Sequence, residues 1–258
     1  MKKLSSIMVA FAASVMMLTS CLDGGNSNSS TSITRFGVVE FDSKTLRPLL
    51  YFSNSDYPIY AQELISVTDN NSCVLFYALI EINDEVNNDV VTTGYYLPTQ
   101  FNYVGVSSSS ISSYLKDTTE VIENELAVKQ LYDGGYVKEH LFLQIDLSEN
   151  KPEQKNVYTL EYGDMEPEEV NGKRIYNLYL RAVKVQEGKT GTEARDNYGF
   201  KVNYFLDRAL QQEKEANQNA INLRINYISE LDETNEEDIK IKKWSYLDIS
   251  PIQFATED

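Results

Sequence analysis

Histidine is nearly absent from the sequence. His140 is the only one among 258 residues, so sites built from two or more imidazoles, including the usual catalytic zinc sites, are excluded. A single histidine could still serve a Ser-His-Asp triad, but no G-x-S-x-G turn accompanies it. The letters E-H-L-F-L place His140 at the start of a strand, where we expect a surface or edge histidine. The sequence therefore predicts no catalytic residue.

Cysteine is scarce as well, with only Cys21 and Cys73 in the chain. Cys73 lies in the apolar run C-V-L-F-Y-A-L-I-E-I, where burial raises the pKa of a thiol and hides its sulfur. We expect it to be a small core residue. Cys21 follows an export signal, and once it is modified one thiol remains, which cannot form an intramolecular disulfide. Stability must therefore come from a hydrophobic core.

Basic residues are few, with 23 Lys and Arg against 39 Asp and Glu. Lys2 and Lys3 belong to the removed signal, which leaves 21 basic residues and a formal net charge of −18 in the mature chain. Such a field repels phosphate backbones and anionic headgroups. The sequence therefore predicts no nucleic-acid binding and no basic membrane-surface patch. An inhibitor or immunity protein against a basic toxin remains an alternative, because the charge would speed that association.

The first 21 residues have the features of a bacterial lipoprotein signal. Lys2 and Lys3 precede the apolar run 4–18, which is too short to span a membrane. The order Leu-Thr-Ser-Cys that ends at Cys21 is that of a lipobox, in which the cysteine thiol is alkylated with a diacylglycerol. We expect acylated Cys21 to hold the protein stably on the lipid bilayer. Leu22 stands where an acidic residue would favour inner-membrane retention, so the outer membrane is predicted, with the periplasmic or extracellular face left open.

The rest of the chain is predicted to be mostly β-strand, since 18 Tyr and 10 Phe favour strands. In the first half the candidate strands are 33–41, 47–52, 60–67, 73–82, 90–97 and 101–106, a number that suits a small OB-type barrel. The tract S-S-S-S-I-S-S at 107–113 indicates a linker, and a short helix capped at Asp117–Glu120 could follow.

The second half has the alternation of half-buried strands. In L-F-L-Q-I-D-L, Leu141, Leu143, Ile145 and Leu147 share one face, the period of two expected for a strand. Later segments repeat it between polar loops, which is typical of an antiparallel sandwich. Only 204–220 has helical spacing, and we expect one or two turns there.

These patterns divide the chain into five parts. They are a signal peptide over 1–20, a lipidated Cys and flexible tether over 21–32, an OB-like β-barrel domain over 33–110, a linker with a short helix over 111–125, and a β-sandwich domain over 126–258. The predicted fold class is all-β: an N-terminal OB-like small barrel followed by a C-terminal antiparallel β-sandwich, after a lipoprotein signal peptide.

The order of parts resembles the NigD-like lipoproteins. The motifs that carry the likeness are Y-D-G-G-Y-V (Tyr132–Val137), R-I-Y-N-L-Y-L-R (Arg174–Arg181), Y-G-F-K-V-N-Y-F-L (Tyr198–Leu206) and I-N-L-R-I-N-Y (Ile221–Tyr227). The resemblance implies an OB-type barrel and a β-sandwich behind a lipobox. It implies no activity, because that family supplies no catalytic residues to carry over, and this chain lacks the acidic cluster such lipoproteins often have after the cysteine.

Two loops concentrate acidic residues, one with Glu161, Asp164, Glu166, Glu168 and Glu169, the other with Asp232, Glu233, Glu236, Glu237 and Asp238. Neither follows the D-x-D-x-D-G order of a calcium loop, so we expect solvated turns, no metal site and no cofactor, and a weak calcium site is the alternative. Paired carboxylates for glycoside hydrolysis have no fixed spacing in sequence. A polysaccharide-directed hydrolase therefore stays open as an alternative.

Aromatic residues form the candidate ligand site. Seven lie near predicted strand ends of the barrel, where related barrels bind oligomeric ligands: Tyr51, Tyr57, Tyr60, Tyr95, Tyr96, Phe101 and Tyr103. The negative charge disfavours nucleic acid, which leaves glycans or peptides; the alternative is that these are half-buried strand residues with a hydrated hydroxyl. We predict a non-catalytic outer-membrane lipoprotein, an acidic binding or adapter module for another envelope protein or a glycan.

Overall fold

The computed structural model describes residues 30–81, 87, 90–191, 195–232, 234, 235 and 239–254. The predicted signal peptide, Cys21 and most of the tether lie outside these residues. The strands are β1 (Ser30–Phe41), β2 (Pro48–Phe52), β3 (Ser72–Glu81), β4 (Gln100–Ser110), β5 (Val128–Val137), β6 (His140–Leu147), β7 (Lys155–Glu161), β8 (Glu168–Val170), β9 (Lys173–Gln186), β10 (Asp196–Lys201), β11 (Ala220–Asp232), β12 (Lys240–Asp248) and β13 (Ile252–Gln253). The helices are a 3-10 helix (Gln62–Ser66), α1 (Val90–Thr93) and α2 (Asn203–Glu215). The all-β fold class is confirmed.

The N-terminal strands form the predicted small barrel. β1 pairs antiparallel with β2 and β3, and β3 pairs antiparallel with β4. Beyond β2 the pairing continues through single bridges, from Leu50 to Ile59 and from Ile59 to Tyr96. Leu50, Ile59 and Phe76 are fully or almost fully buried and belong to the core of this barrel.

β4 joins the barrel to the second half of the chain. Its residues Ser107–Ser110 pair in parallel with β10, so the large sheet has the order β2-β1-β3-β4-β10-β6-β5. The serine tract, predicted to be a linker, is therefore a strand as far as Ser110. Serine side chains give no alternation of polarity, and the strand is held by backbone hydrogen bonds that leave no pattern in the sequence.

The sandwich is completed by a second sheet of order β12-β11-β9-β7, with β8 and β13 at its margins. β9 and β11 run parallel, unlike the antiparallel pairs around them. The predicted inward row of β6 is confirmed, because Leu141, Leu143, Ile145 and Leu147 are all buried. They pack between the sheets against β9, β11 and α2.

A third hydrophobic cluster packs the barrel against β6, on the face of that strand that points away from the core between the two sheets. Phe36 of β1 stacks on Phe142 of β6 with ring centroids 5.0 Å apart and planes 9° apart, and Cys73 and Val137 complete the contact. Gly134 is needed there, since a Cβ at this position would lie 2.8 Å from the Phe36 ring. The nearly continuous apolar sequence of β3 predicts burial on both faces, and this is only partly right: Val74, Phe76, Ala78 and Ile80 are buried, whereas Leu75, Tyr77 and Leu79 are half-buried.

Two strands predicted in the barrel are wrong. The segment 60–67 contains the 3-10 helix Gln62–Ser66, which buries only Leu64. The segment 90–97 begins with α1, whose Val91 is exposed, and α1 is followed by Gly94 with φ of 79°. In both segments apolar residues such as Ile65 and Val91 lie at the surface, so the spacing of apolar residues does not predict which side chains are buried.

The segment 111–127 crosses the outside of the second sheet instead of forming a capped helix. The Asp117 carboxylate accepts hydrogen bonds from the backbone and hydroxyl of Thr119, which is a local turn and not a helix cap. Helix α2, with 13 residues, is longer than the one or two turns predicted. Neither it nor α1, in the part of the chain described, could reach across a lipid bilayer.

Candidate functional site

Four of the seven predicted aromatic residues come together at one end of the barrel. The backbone positions them: Tyr60 N donates to Tyr96 O at 2.9 Å, and Tyr96 N donates to Pro58 O at 2.8 Å. Buried Ile59 between them anchors the segment to β2. Tyr57, Tyr60, Tyr95 and Tyr96, together with Arg47, are named the tyrosine patch below.

The rings of the patch contact one another in two pairs. Tyr57 and Tyr96 meet edge to face, with centroids 6.0 Å apart and an angle of 87° between their planes. Tyr60 and Tyr95 are 5.5 Å apart at 59°. Tyr96 also packs on the barrel core, while Tyr95 is turned toward Arg47. All four rings are half-buried, so each keeps some surface for a ligand.

Arg47 is the member of the patch that the sequence analysis missed. Its Nη1 donates to the Tyr95 hydroxyl at 2.9 Å, and its Cζ lies 5.5 Å from the centroid of the Tyr60 ring. The side chain is exposed and forms no salt bridge with a carboxylate among the described residues. Arg47 is the last residue of the β1–β2 turn, and that position was the available signal, since this turn is a ligand-binding loop in other OB barrels.

The turn beside the patch exposes a leucine in a strained conformation. Leu46 is 74% exposed and has φ of 56°, in the left-handed region that costs an L-residue roughly 1–2 kcal/mol. Strain of this kind is frequent at binding sites. Leu46 precedes Arg47 directly, so its apolar side chain extends the surface of the patch.

The strain at Leu46 leads to a stability prediction. Leu46→Asn should raise the free energy of unfolding by about 0.5–1 kcal/mol, because asparagine adopts this conformation with local hydrogen bonding. Denaturant unfolding measures it. Leu46→Ala is the control: it keeps the strain and should not gain stability. Equal stability of the asparagine and alanine variants would contradict the assignment of strain.

The other three predicted aromatic residues lie elsewhere. Tyr51 lies at the contact between barrel and sandwich, with Lys138 Nζ 3.9 Å from its ring centroid. Phe101 is buried in the barrel core beside Phe76. The Tyr103 hydroxyl lies 2.7 Å from the Ser66 hydroxyl, on the side of the 3-10 helix. These residues do not join the tyrosine patch.

His140 is not the surface or edge histidine that was expected. It is 4% exposed, on a strand that lies between β5 and β10. Its Nδ1 is 2.9 Å from the Lys138 carbonyl, and its ring lies beside Phe142. Burial lowers the pKa of His140 from its ordinary value, and the Lys138 carbonyl opposes this only in part. The lowered pKa favours the neutral ring.

A pH prediction follows from the burial of His140. Since the pKa is lower in the folded than in the unfolded state, the unfolded chain binds the proton more readily as the pH falls below the ordinary histidine value. The stability contributed by the neutral ring is complete above that value and is lost below it. The free energy of unfolding of the wild type should therefore fall more steeply between pH 7.5 and 5.5 than that of His140→Gln. Parallel curves would contradict this.

Cys73 is the core residue predicted. It is 4% exposed, and burial raises the pKa of its thiol to about 11. The thiol is therefore protonated near neutral pH and is hidden from solvent.

Carboxylates that are buried are held by cations and hydrogen bonds. Glu161 accepts a hydrogen bond from Lys116 N at 3.0 Å, and the Lys116 ammonium is 3.6 Å away. Glu213 accepts from the Tyr176 hydroxyl at 2.7 Å and from Arg174 Nε at 2.9 Å. Among the described residues no group of three or more His, Cys, Asp or Glu could hold a metal ion. Glu233, Glu236, Glu237 and Asp238 of the second acidic loop lie outside them.

Residues 26–104 match a family model described as Lipoprotein OB domain. The match covers β1, β2, β3, the start of β4 and the tyrosine patch. It supports an OB-type N-terminal domain and a membrane-anchored lipoprotein. No curated protein matches the sequence.

Solved structures share the fold over most of the chain. An uncharacterized protein from Parabacteroides merdae ATCC 43184 is 23% identical, with a TM-score of 0.73 over 88% of this chain and 100% of that one. A candidate lipoprotein from Bacteroides fragilis NCTC 9343 is 13% identical, with a TM-score of 0.51 over 88% of this chain and 100% of that one. At these identities the likeness shows the fold alone: barrel and sandwich recur together in other proteins.

Proposed function

We propose that this protein is a non-catalytic outer-membrane lipoprotein of the NigD-like type, whose barrel binds a glycan through the tyrosine patch. The observation that supports this proposal most directly is the contact of Arg47 with both Tyr60 and Tyr95 at the end of the barrel. Tyrosine faces provide rigid apolar contact for sugar rings, and the remaining guanidinium donors can bind hydroxyl or carboxylate oxygens.

The position of the patch supports ligand binding. OB barrels bind oligosaccharides with the strand face and loops next to the β1–β2 turn, and Leu46 and Arg47 belong to that turn. Leu46 is exposed and strained, and Arg47 has no carboxylate partner among the described residues. Neither feature adds evident stability, but both side chains suit contact with a ligand.

The environment of the reactive side chains supports a role without catalysis. His140 is buried and kept neutral, and the Cys73 thiol is protonated. Glu161 is paired with Lys116, and Glu213 accepts hydrogen bonds from Arg174 and Tyr176 through Oε1, while its Oε2 is buried without a hydrogen-bond partner. A glycoside hydrolase needs one carboxylate available as an acid and a second facing the substrate, and these two are held by other groups.

The proposed location depends on Cys21 and Leu22. Cys21→Ser should move the protein from the membrane fraction to the soluble envelope fraction and abolish incorporation of labelled fatty acid, since a hydroxyl cannot replace the thiol in the lipidation step. Sucrose-gradient separation of the two membranes tests the outer-membrane assignment in the wild type. Recovery with the inner membrane would contradict it.

Binding is tested on the full-length protein in proteoliposomes. The probes are oligosaccharides of three to six sugars, released from peptidoglycan and from surface polysaccharide, and saturation-transfer NMR reports which are bound. Tyr60→Ala and Arg47→Ala should each weaken binding about tenfold or more, as expected for central contacts.

A matched control exists on the second sheet. There Arg224 Cζ lies 4.1 Å from the centroid of Tyr246, which is 58% exposed. Tyr246→Ala removes a similar arginine–tyrosine pair and should leave the affinity unchanged. Equal losses for Tyr246→Ala and Tyr60→Ala, or no binding of any probe by the wild type, would contradict the proposed site.

A further inference from the structure

One long segment of this acidic chain has no charge at all. Residues 90–115, between Asp89 and Lys116, contain no Asp, Glu, Lys or Arg. Because 24% of the chain is charged, about six charged residues would be expected in a segment of that length. The segment includes the whole of β4, so the middle of the large sheet has a strand without charge.

Part of β4 has an open edge. From Gln100 to Val106 the strand pairs with β3 on one side, and no described strand pairs with this stretch on the other. β10 pairs only from Ser107 onward. Asn102 and Val104 are exposed, and a Cβ at Gly105 would have nothing within 4 Å. The backbone N–H and C=O groups on this side of the stretch therefore have no partner in a described strand.

Another edge of the same molecule is protected in the usual way. β12, at the margin of the second sheet, carries Lys240, Lys242 and Lys243. Charges on edge strands, lysine above all, prevent pairing with other chains. β4 has none of these charges, although the chain has many, which indicates that its edge is covered when the protein functions.

We propose that the open edge of β4, Gln100–Val106, pairs antiparallel with the same edge of a second copy. A strand that meets its own copy about a two-fold axis is complementary to itself. Seven residues give about 23 Å of strand, enough for several backbone hydrogen bonds. A lipid anchor confines the copies to one membrane surface, which raises their effective concentration.

The charge distribution favours a second copy as the occupant. Two mature chains, each with a net charge of −18, repel each other, and this repulsion is weakest where neither surface has carboxylates. The β4 edge is such a surface. A basic partner would find no acidic residue to bind on this edge, because the edge has none. An uncharged strand of another protein is the alternative occupant that the experiment distinguishes.

Crosslinking in membranes tests the proposal on the full chain. Val104→Cys introduces one accessible thiol, because Cys73 is buried and Cys21 carries the lipid. A short bis-maleimide should give a product of twice the chain mass, in which mass spectrometry finds residue 104 joined to residue 104. Tyr204→Cys, at a position 79% exposed on α2, is the control and should give only monomer.

A second pair of variants tests the edge itself. Asn102→Lys in the Val104→Cys background places like charges across the pair and should reduce the dimer about tenfold. Val185→Lys should leave it unchanged, since Val185 is an exposed valine with the same 59% exposure as Val104 but lies on β9. Thermal melting checks that all variants fold. Absence of the dimer, its persistence in Asn102→Lys, or a product joined to a different protein would overturn the proposal.

Discussion

Replacing Glu125 with leucine is expected to destabilise the protein by about 3–5 kcal/mol, because it leaves the guanidinium of Arg181 buried without its counter-charge. Arg181 is 1% exposed, the largest fully buried side chain among the described residues. Its Nε donates to Glu125 Oε1, and its Nη2 donates to Glu125 Oε2 at 2.7 Å. The Asp117 carboxylate also interacts electrostatically with this guanidinium, but it is exposed, so it does not replace the buried counter-charge.

The same arginine holds the crossing segment on the second sheet. Its Nη1 donates to the Asp117 carbonyl at 3.2 Å, and its Nη2 donates to the Glu120 carbonyl at 2.7 Å. Trp244 Nε1 donates to the Thr118 carbonyl at 3.2 Å and covers the cluster. Loss of the carboxylate should therefore also loosen segment 117–125, which faster amide hydrogen exchange there would report.

A double variant separates the effect of the uncompensated charge from the effect of changed packing. Glu125→Leu with Arg181→Met removes both charges and should recover much of the lost stability, since an apolar pair of similar volume needs no counter-charge. Glu230→Gln, in an exposed ion pair with Lys242, is the control and should leave the denaturation midpoint nearly unchanged. If the double variant were no more stable than Glu125→Leu, an uncompensated charge would not be the cause.

Phe142→Ala is expected to cost about 3–5 kcal/mol, the usual range for a buried phenylalanine. Phe142 is fully buried and stacks on Phe36 of the barrel. Its removal opens a cavity where three elements meet, because Gly134 of β5 leaves no side chain to fill it. Chemical denaturation measures the loss, and Val157→Ala, at a half-exposed position, is the control.

A glycine substitution tests the same contact from the other side. Gly134→Ala should destabilise the protein, since the new Cβ would lie 2.9 Å from the Phe142 Cβ and carbonyl oxygen. Gly105→Ala should be tolerated, as open space surrounds it. Equal stability of the two variants would show that the barrel and the sandwich are not packed as closely as described.

Strands with strict alternation were predictable from the sequence, because burial on one face imposes a period of two. β6 is the clearest example, with four buried apolar residues at alternate positions. The same reasoning failed for 60–67 and 90–97, where apolar residues such as Val91 are exposed. It also missed the strand in the serine tract, whose pairing with β10 depends on a segment almost a hundred residues away.

Long-range contacts account for what was missed at the candidate site and at the buried ion pair. In β9 the same alternation holds, because Tyr176, Leu178, Leu180 and Ala182 are buried, and it places Arg181 on the opposite face. Arg181 is buried there because segment 117–125 covers it, and this pairing has no local signal. The tyrosines were found from composition and position, but Arg47 required the folded β1–β2 turn to be seen beside Tyr60 and Tyr95.

The central claim is that the tyrosine patch binds a glycan and leaves it intact. The most direct measurement incubates the full-length protein with the oligosaccharide probes and analyses bound and free sugars by mass spectrometry. The account predicts that wild-type protein retains oligosaccharides of unchanged length and that Tyr60→Ala retains far less. Sugars shortened by the wild type, or equal retention by Tyr60→Ala, would contradict it.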